Sequence, residues 1–268
     1  MTATRTAVLI PVLNDREGLF RSLASIASEE SILVVVVDDG SNPPVVSADI
    51  YRHLAHRHTA HLIRHEVNQG IVAALNHGLA ACRDRDITYI ARLDAGDSCV
   101  GDRLNKQVEF LNSHPEYTLV GGQAEVMDQH GVRRYKLNLP TDDKSIRKAM
   151  HMNSAFVHPA VMMRADTLWR MREWYSGRYL WAEDYDLFYR LLSLGKAANL
   201  PATVLAKYDT RDSVSVRNRR RQLLSRLRIQ CRQFALLTPH SWIGILKTLC
   251  LFATPSRLLN RYRKAFWQ

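Results

Sequence analysis

Short apolar runs alternate with amphipathic stretches between residues 6 and 95, and this alternation constrains the fold more than any other feature of the sequence. The runs include TAVLIPV, ILVVVVDD, AHLIRH and ITYIARLD, and helical periodicity falls between them, at residues 16–28, 47–57 and 69–83. Strands that alternate with helices form crossover units. Residues 32–37 are apolar at every position, which is typical of parallel strands covered on both faces. The sequence therefore predicts an α/β fold with a mixed, mainly parallel sheet flanked by helices.

Polar side chains follow three of the predicted strands. The first strand ends in PVLND, the second in DDGS, and the fourth in Asp94-Ala95-Gly96-Asp97. Ligands bind at the carboxyl ends of the strands in such sheets. A single Asp or Asn there commonly does no more than start a turn. Close carboxylates, however, repel unless a cation or a proton separates them, and Mg²⁺ binds one or two carboxylates together with phosphate oxygens. We therefore interpret Asp94 and Asp97 as the protein's share of a metal-diphosphate site.

A later stretch carries candidate ligands that also have a structural explanation. Asn68 and Gly70 lie where a helix begins, and Asn76 follows further along the same helix. A helix cap explains the first two residues as well as phosphate binding at the helix N-terminus does. The sequence has neither a GxGxxG loop nor a GxxxxGK[ST] loop, which weakens the dinucleotide-dehydrogenase and P-loop interpretations.

Glu183 and Asp184 precede a run of leucines at helical spacing. Acidic residues in a first turn are favoured by the helix dipole, so the pair either has that structural role or supplies a carboxylate base. Trp181 would stack on a sugar face or pack in the core. His158, in FVHPAVMMR, is more typical of a buried structural histidine than of a catalytic one.

The formal net charge of +11 is confined to one end of the chain. Residues 217–268 hold twelve of the 37 Lys and Arg residues and no Asp or Glu, which leaves 25 basic and 26 acidic residues in the rest. No Pro/Gly/Ser-rich linker follows residue 100, and Asp128-Gln129-His130-Gly131 predicts a hairpin. We predict a globular domain over residues 1–216 and a basic helical tail over residues 217–268.

Apolar residues recur at helical spacing between the arginines of the tail, which predicts a basic amphipathic helix. These residues are Leu223, Leu224, Leu227, Cys231 and Phe234. Such a helix binds an anionic membrane surface or pairs with a second subunit, and a solvated charge run is the structural alternative. The longest apolar stretch, residues 242–253, is interrupted by Lys247 and is shorter than the roughly 20 residues that a membrane span requires. We expect it to lie on a membrane rather than cross one.

Several stretches, in this order, resemble the inverting enzymes of glycosyltransferase family 2, which have a GT-A fold. The resemblance covers nearly all of residues 5–215. The matching stretches are VLIPVLNDREGLFRSLASI, VVVVDDGS, HEVNQGIVAALNHGL, YIARLDAGDSCVGDRLNKQVEFL, FVHPAVMMR and AEDYDLFYRLLSLG. The resemblance implies a bacterial polysaccharide- or glycolipid-type enzyme that transfers a sugar, with inversion, from a nucleotide-diphosphate donor to an acceptor hydroxyl. It also implies a UDP-sugar as the expected donor and Mg²⁺ or Mn²⁺ as the cofactor.

The resemblance further implies roles for individual residues. Asp184 would be the catalytic base, and Glu183 beside it would orient the acceptor or the loop. Asp97 would hold the metal, and Asp94 would lie nearer the ribose or reach the metal through water. Pro11 and Asn14 would line the nucleoside pocket, and Asp39 would meet the base or ribose. The complete set predicted to bind the nucleotide or substrate is Pro11, Asn14, Asp39, Asn68, Gly70, Asn76, Arg92, Asp94, Trp181 and Arg211.

Two stretches depart from the family pattern. Gly96 takes the third position of the acidic motif, where Asp is commoner. The stretch KYDTRDSVS, residues 207–215, lacks the histidine of many relatives, and Arg211 would supply positive charge to the leaving group in its place. A catalytically inactive nucleotide-binding member of the family is therefore one alternative function.

Two other functions compete with sugar transfer. A nucleotidyltransferase would be expected to carry a Gly-rich, basic signature that LIPVLNDREG lacks. A nucleic-acid- or membrane-binding module would leave the acidic strand ends unexplained, so we expect no nucleic-acid partner. The cysteines show neither close pairing nor metal-ligand spacing, which favours a reducing cytosol. We expect a cytoplasmic enzyme, peripheral at the inner face of the plasma membrane, acting on a lipid-linked or saccharide acceptor. A homodimer is the other use of the tail's apolar face.

Overall fold

The structure is a computed structural model that describes residues 5–128, 130–208 and 218–254. The helices are α1 (Arg16–Ala24), α2 (Ser47–His53), α3 (Ile71–Arg83), α4 (Arg103–Ser113), α5 (Asp143–Met150), α6 (Ala165–Trp169), α7 (Glu183–Leu192), α8 (Arg219–Arg232) and α9 (Pro239–Ala253). The strands are β1 (Thr6–Val12), β2 (Leu33–Asp38), β3 (Thr59–Arg64), β4 (Tyr89–Arg92), β5 (Ser98–Cys99), β6 (Tyr117–Met127), β7 (Arg133–Leu137), β8 (Met162–Arg164) and β9 (Lys196–Tyr208). Arg211 and the predicted boundary between residues 216 and 217 lie outside the described residues.

Parallel strands form the first half of the sheet, as the sequence predicts. They lie in the order β3-β2-β1-β4, and each is parallel to its neighbour. β1 is buried along its whole length and β2 is buried from Val34 onward, so both faces of these strands require apolar side chains. Because the four strands point the same way, the polar residues that follow β1, β2 and β4 meet at one edge of the sheet.

The second half of the sheet is mixed. β8 is antiparallel to β4 and β6, β9 is parallel to β6, and β6 and β7 form the predicted hairpin. The short β5 pairs with the end of β9, where Ser98 lies opposite Ala206. This pairing brings the last residues of β9 beside the acidic turn that follows β4, although the two segments are far apart in the sequence.

Helices cover both faces of the sheet, which confirms the predicted fold class. On one face α3, α5, α6 and α7 supply buried residues such as Leu75, Ile146 and Leu187. On the other face α1, α2 and α4 supply residues such as Leu19 and Leu104. Each face of the sheet therefore has its own apolar core, with the acidic edge left between them.

Two helices end earlier than their periodicity predicts. α1 ends at Ala24 rather than at residue 28, and α2 ends at His53 rather than at residue 57. Ser25 follows α1, and its Oγ accepts the N–H of Cys99 at 2.9 Å. Leu54 follows α2 with extended backbone angles (φ −95°, ψ 137°). Contacts with other segments and local backbone geometry set these ends, and an apolar period does not record either.

The described part of residues 217–268 forms two helices, α8 and α9, which pack on the rest of the chain. In α8, Arg226 donates to the Met152 carbonyl, and Gln230 Nε2 donates to the His151 carbonyl at 3.1 Å. The α8 helix itself is as predicted, but its buried side differs from the predicted apolar stripe. Leu223 is buried, whereas Leu224 and Cys231 are exposed. None of the helices within the described ranges is long and apolar enough to cross a bilayer.

Candidate active site

A tight turn carries the two acids that follow β4. The Asp97 N–H donates to the Asp94 carbonyl at 3.1 Å, and Gly96 has a φ of +99°, a conformation that favours glycine. The Ser22 hydroxyl of α1 lies 2.7 Å from the Asp97 carbonyl oxygen and accepts the Gly96 N–H at 3.0 Å. The departure from the family's acidic motif therefore has a backbone reason, because Gly96 relieves the strain of this turn.

Asp97 points one carboxylate oxygen into a buried position without a hydrogen bond. Its Oδ1 accepts the Tyr208 N–H at 3.1 Å, whereas Oδ2 is buried and accepts no hydrogen bond. The Lys207 ammonium lies 3.5 Å from Oδ2. Burial raises the pKa of Asp97 to about 6, with a further contribution from the Asp94 charge, while Lys207 acts in the opposite direction. Asp97 is thus fixed at one oxygen and open at the other.

Asp94 is ionised by neighbouring cations. It forms an ion pair with the guanidinium of Arg92, a residue that is only 1% exposed. Burial by itself would raise the pKa of Asp94, but the charges of Arg92 and Lys207 outweigh it and lower that pKa to about 2. Arg92 therefore contributes to the site through Asp94, and its buried side chain also donates to the Leu93 carbonyl.

The acidic turn fits a divalent cation that also binds phosphate. Asp97 offers a carboxylate oxygen that no hydrogen bond occupies, and the half-exposed Asp94 carboxylate lies in the same turn. Mg²⁺ characteristically takes one or two carboxylates and completes its coordination with substrate phosphates and water. Within the described ranges, no group of three or more His, Cys, Asp or Glu side chains is placed to hold a metal by itself. The residues present thus match a cation shared with a diphosphate.

A second acidic pair begins α7. Glu183 is 8% exposed and its Oε2 is buried without a hydrogen bond, whereas Asp184 is half-buried and accepts the Tyr185 N–H at 2.8 Å. Burial raises the pKa of Glu183 to about 7, and the neighbouring Asp184 raises it further. Burial also raises the pKa of Asp184, and the Asp94 charge adds to this effect. Among the ion pairs of the described residues, none includes either acid of this pair.

Electrostatic interactions link the two acidic pairs. The Asp94 charge acts on the pKa of Asp184, as it does on the pKa of Tyr175, after burial as the main cause. The hydroxyl of Tyr175 is 2.8 Å from Nε2 of His158. Burial, with Arg92 and Lys207, lowers the pKa of His158 to about 3, so this histidine is neutral at ordinary pH. It is a bonded structural histidine, as the sequence favours.

Trp181 lies immediately before the second pair with a φ of +71°. A bulky residue seldom adopts this conformation, which costs on the order of 1–3 kcal/mol. Its side chain is half-buried. The backbone is therefore strained two residues before Glu183, and Trp181 lies next to the acids of α7 in the chain.

Two buried polar side chains support the wall behind the acids. Arg103 donates to the carbonyls of Pro159, at 2.8 Å, and of Arg92, at 2.9 Å. Gln107 donates to the Ala160 carbonyl at 2.8 Å. They tie the end of β4 to the segment that carries His158, so the first turns of α4 position both sides of the site.

The predicted nucleoside side is built around the loops after β1 and β2. Pro11 is buried within β1. The Asn14 N–H donates to Ser41 Oγ at 2.9 Å, and Asn14 Oδ1 accepts the N–H of Asn42 at 2.8 Å. Asn14 therefore joins the two loops into one wall at the edge of the sheet.

Asp39 organises the loop that leads into α3. Its carboxylate accepts the N–H groups of Gln69 and Gly70, both at 2.8 Å, and lies 2.7 Å from Nδ1 of His65. Asn68 Oδ1 also accepts the Gly70 N–H, at 2.9 Å. Gly70 has a φ of +90°, so glycine suits this entry to the helix. These contacts give Asp39 and Asn68 a loop-shaping role in addition to the ligand roles predicted for them.

Asn76 is bonded to the backbone of Tyr175. Its side-chain amide donates to the Tyr175 carbonyl at 2.9 Å, and its Oδ1 accepts the Tyr175 N–H at 3.0 Å. Both polar atoms are thus engaged with backbone. Asn76 positions Tyr175 in the structure, and its predicted contact with the nucleotide stays a prediction.

Sequence reasoning missed Lys207, Tyr175, Arg103 and His65. The stretch KYDTRDSVS attracted attention for its missing histidine, but nothing in it indicates that Lys207 faces Asp97. Tyr175 lies in none of the matching stretches, and His65, the first residue of HEVNQGIVAALNHGL, was given no role. A basic residue that ends a strand opposite acidic strand ends is the one cue that would have suggested Lys207.

The sheet order, the two-faced core and the acid-lined edge are those of the GT-A fold. The chain belongs to glycosyl transferase family 2, whose family model matches residues 7–172. It is 35% identical over 153 residues to the amylovoran biosynthesis glycosyltransferase AmsE of Erwinia amylovora, a match that covers 57% of this chain and 55% of AmsE.

Two solved structures share the fold. TarS residues 1–349 of S. aureus, in complex with UDP, has a TM-score of 0.64 at 14% identity, and the match covers 95% of this chain and 73% of that one. The mannosyltransferase PcManGT of Pyrobaculum calidifontis, in complex with GDP-Man and Mn²⁺, has a TM-score of 0.62 at 16% identity, with 94% and 70% covered. These similarities confirm the predicted fold.

Proposed function

We propose that this protein transfers a sugar from a nucleotide-diphosphate donor, a UDP-sugar, to an acceptor hydroxyl with inversion at the anomeric carbon. The observation that carries the proposal is the presence of two unlike acidic pairs, one in the turn after β4 and one at the start of α7, with the Asp94 charge acting on Asp184. Arg92 and Lys207 neutralise one pair, whereas neither acid of the other pair forms an ion pair among the described residues. The likeness to AmsE supports a role in cell-surface polysaccharide or glycolipid assembly.

The acidic turn after β4 is assigned to the donor. Asp97 would hold Mg²⁺ or Mn²⁺ through its open oxygen, and Asp94, kept ionised by Arg92, would face the ribose or the metal's water. When bound, the metal supplies Lewis-acid stabilisation of negative charge on the departing diphosphate. The complex of PcManGT with GDP-Man and Mn²⁺ supports a metal in this class of site. Pro11, Asn14 and Asp39 would shape the nucleoside pocket.

Asp184 is assigned the role of the general base, which would take the proton of the acceptor hydroxyl. It is half-buried and so remains accessible, whereas Glu183 beside it is buried and has a pKa raised to about 7. A general base whose pKa approaches the working pH is effective in proton transfer. Below pH 7 Glu183 would be largely protonated, so it would place no negative charge beside Asp184. Trp181 would form the sugar-facing wall, and Arg211 would add positive charge on the diphosphate side.

The acceptor is proposed to be lipid-linked, and the protein to lie in the cytoplasm at the inner face of the plasma membrane. The support is the charge of residues 217–268, with twelve basic residues and no acidic one. Each basic residue near an anionic leaflet contributes about 1 kcal/mol of attraction. The division of the chain into a catalytic domain (1–216) and this tail is part of the same proposal.

A donor screen tests the proposed activity. Purified protein is incubated with a panel of nucleotide sugars, with Mn²⁺, Mg²⁺ or EDTA, and released nucleoside diphosphate is measured. The expected result is metal-dependent release from one UDP-sugar. Release that is equally fast in EDTA would contradict the metal assignment, and no release with any donor, in the presence of lipid-extract acceptors, would contradict sugar transfer.

A further inference from the structure

Helix α9 packs on the protein with its small and polar side. Ser241, Gly244 and Thr248 are buried, and they recur at the three- and four-residue spacing of one helix face. The large apolar side chains of the same helix face outward. They are Trp242, Ile243, Leu246, Leu249 and Phe252, with exposed fractions between 45% and 64%. This arrangement is the reverse of a helix that contributes to a soluble core.

Specific contacts hold α9 in this orientation. A Cβ added at Gly244 would lie 1.9 Å from the His151 carbonyl oxygen, so the helix approaches the backbone as closely as glycine allows. Ser241 Oγ lies 2.9 Å from Nδ1 of His151, and Thr248 Oγ1 donates to Gln230 Oε1 at 2.8 Å. Turning the apolar side inward would break these bonds and place bulky side chains where glycine is required. The outward apolar face is therefore built into the packing.

Basic residues lie beside the start of the apolar face. A groove of about 560 Å³ opens where α9 begins, and α5 lines it with Lys144, Arg147 and Lys148, of which Arg147 pairs with Asp143 in the same lining. The groove is also lined by His240 and by Leu237, which is 95% exposed. Within the described residues 218–254, the chain adds seven basic residues and no acidic one. An apolar stripe with positive charge beside it matches the interface of an anionic bilayer, which offers acyl chains next to phosphate groups.

We propose that α9 is a membrane-docking helix whose outward face inserts into the headgroup region of an anionic bilayer. Trp242, Ile243 and Leu246 would enter the apolar layer, and Lys144 and Lys148 would contact lipid phosphates. The placement rests on the proposed function, because a lipid-linked acceptor requires the enzyme to reach a membrane. The helix is too short to span, so it lies along the surface.

Charge favours lipid over a second copy of the chain as the occupant of this face. In a two-fold dimer the same patch meets itself, so the basic residues beside each α9 would approach those of its partner. Like charges facing each other oppose association, whereas anionic phosphates neutralise them. A bilayer therefore satisfies both the apolar and the basic parts of the surface.

Docking through α9 would also orient the active site. α8 lies between α9 and the segment that leads into α7, and Arg232 Nη1 of α8 is 3.4 Å from the hydroxyl of Tyr179. The same arginine lies 3.9 Å from the Asp186 carboxylate. The membrane-facing helix is thus connected through α8 to the helix that begins with Glu183 and Asp184.

The test compares the full-length protein with an Ile243→Gln/Leu246→Gln variant in vesicle flotation. The probes are vesicles of phosphatidylcholine with about one third phosphatidylglycerol, and pure phosphatidylcholine vesicles as the neutral comparison. Leu194→Gln, at an equally exposed leucine after α7, is the matched control. Both substitutions are at exposed positions, and unfolding temperatures verify the fold. We expect wild type and L194Q to float with anionic vesicles only, and the double variant to bind roughly ten-fold more weakly.

Three results would overturn the proposal. The first is that the double variant binds anionic vesicles within two-fold of wild type. The second is that L194Q weakens vesicle binding as much as the double variant does. The third is that wild type sediments as a dimer, which the double substitution dissociates without changing vesicle binding. Donor hydrolysis in solution, without vesicles, separates this proposal from the proposed function. Loss of vesicle binding with unchanged hydrolysis supports α9 docking, whereas absent hydrolysis alongside intact vesicle binding counts against the proposed function alone.

Discussion

The two acidic pairs of the site differ in what neutralises them. Asp94 and Asp97 lie beside Arg92 and Lys207, and these cations lower the pKa of Asp94 to about 2, whereas burial still raises the pKa of Asp97 to about 6. Glu183 and Asp184 have no such partners among the described ion pairs, and burial raises the pKa of both. A carboxylate held ionised among cations suits electrostatic work, and one with a raised pKa suits proton transfer. The comparison explains why one edge of the sheet can serve both halves of a transfer reaction.

The largest expected effect comes from removing the proposed base. Asp184→Asn should lower the transfer rate by about 10²–10⁴-fold, because general-base catalysis contributes that much. UDP affinity, measured by calorimetry with Mn²⁺, should stay within two-fold. Asp186→Asn is the matched control in the same turn, since Asp186 pairs with Arg190 at 2.8 Å and should affect stability rather than turnover. A near-native transfer rate for D184N would show that Asp184 is not the general base, and the proposed difference in role between the two pairs would fail.

The next effect concerns the open oxygen of Asp97. Asp97→Asn keeps an acceptor for the Tyr208 N–H but removes the charge, so Mn²⁺ affinity in the presence of UDP should fall by roughly 10–100-fold. Electron paramagnetic resonance of Mn²⁺ measures this directly. Asp102→Asn, an exposed acid near the same turn, is the control and should leave the affinity unchanged. Equal metal binding by D97N would move the cation site elsewhere.

Glu183 predicts a pH effect on the stability of the free protein. Folding raises the pKa of its carboxyl from 4.5 to about 7, so the folded protein binds this proton more tightly than the unfolded chain does. Its contribution to stability is therefore full below pH 4.5, falls as pH rises, and is lost once pH passes 7. Glu183→Gln should remove this dependence.

Urea unfolding at pH 5 and pH 8 checks the prediction. We expect wild type to lose on the order of 1–3 kcal/mol more than E183Q between the two conditions. If the two proteins lose stability in parallel, Glu183 is not protonated in the fold, and the contrast between the acidic pairs weakens.

The smallest effect tests Lys207 as the cation that neutralises Asp97 without metal. Its ammonium is 41% exposed and 3.5 Å from Oδ2, so solvent screens the interaction and a contribution of roughly 1 kcal/mol is reasonable. Lys207→Met should therefore increase Mn²⁺ affinity of the nucleotide-free protein by about five-fold, as measured by calorimetry. An unchanged or lower affinity would show that lysine and metal do not compete for Asp97.

The parallel half of the fold could be predicted because its central strands need apolar residues on both faces. Residues 32–37 and the polar turns after them show this directly. The two acidic pairs could also be predicted, because acids at strand ends and helix starts form a local sequence pattern. They are Asp94 with Asp97, and Glu183 with Asp184. In each case the information lies within a few consecutive residues.

The remaining parts of the site depend on segments that are distant in the sequence. Lys207 reaches Asp97 only because β9 pairs with β5, and Asn76 meets Tyr175 through helix packing. The outward face of α9 is similar, because hydropathy identifies the apolar residues but not the side on which Gly244 contacts His151. Periodicity within α8 likewise predicted a helix without predicting which of its residues are buried.

A crystal structure with UDP and Mn²⁺ bound tests the division of work between the two pairs most directly. The account predicts the diphosphate and the metal at Asp97, with the Asp184 carboxylate facing the open space where the sugar and acceptor would meet. A nucleotide bound at another edge of the sheet, with Asp97 still paired only to Lys207 and Tyr208, would contradict it.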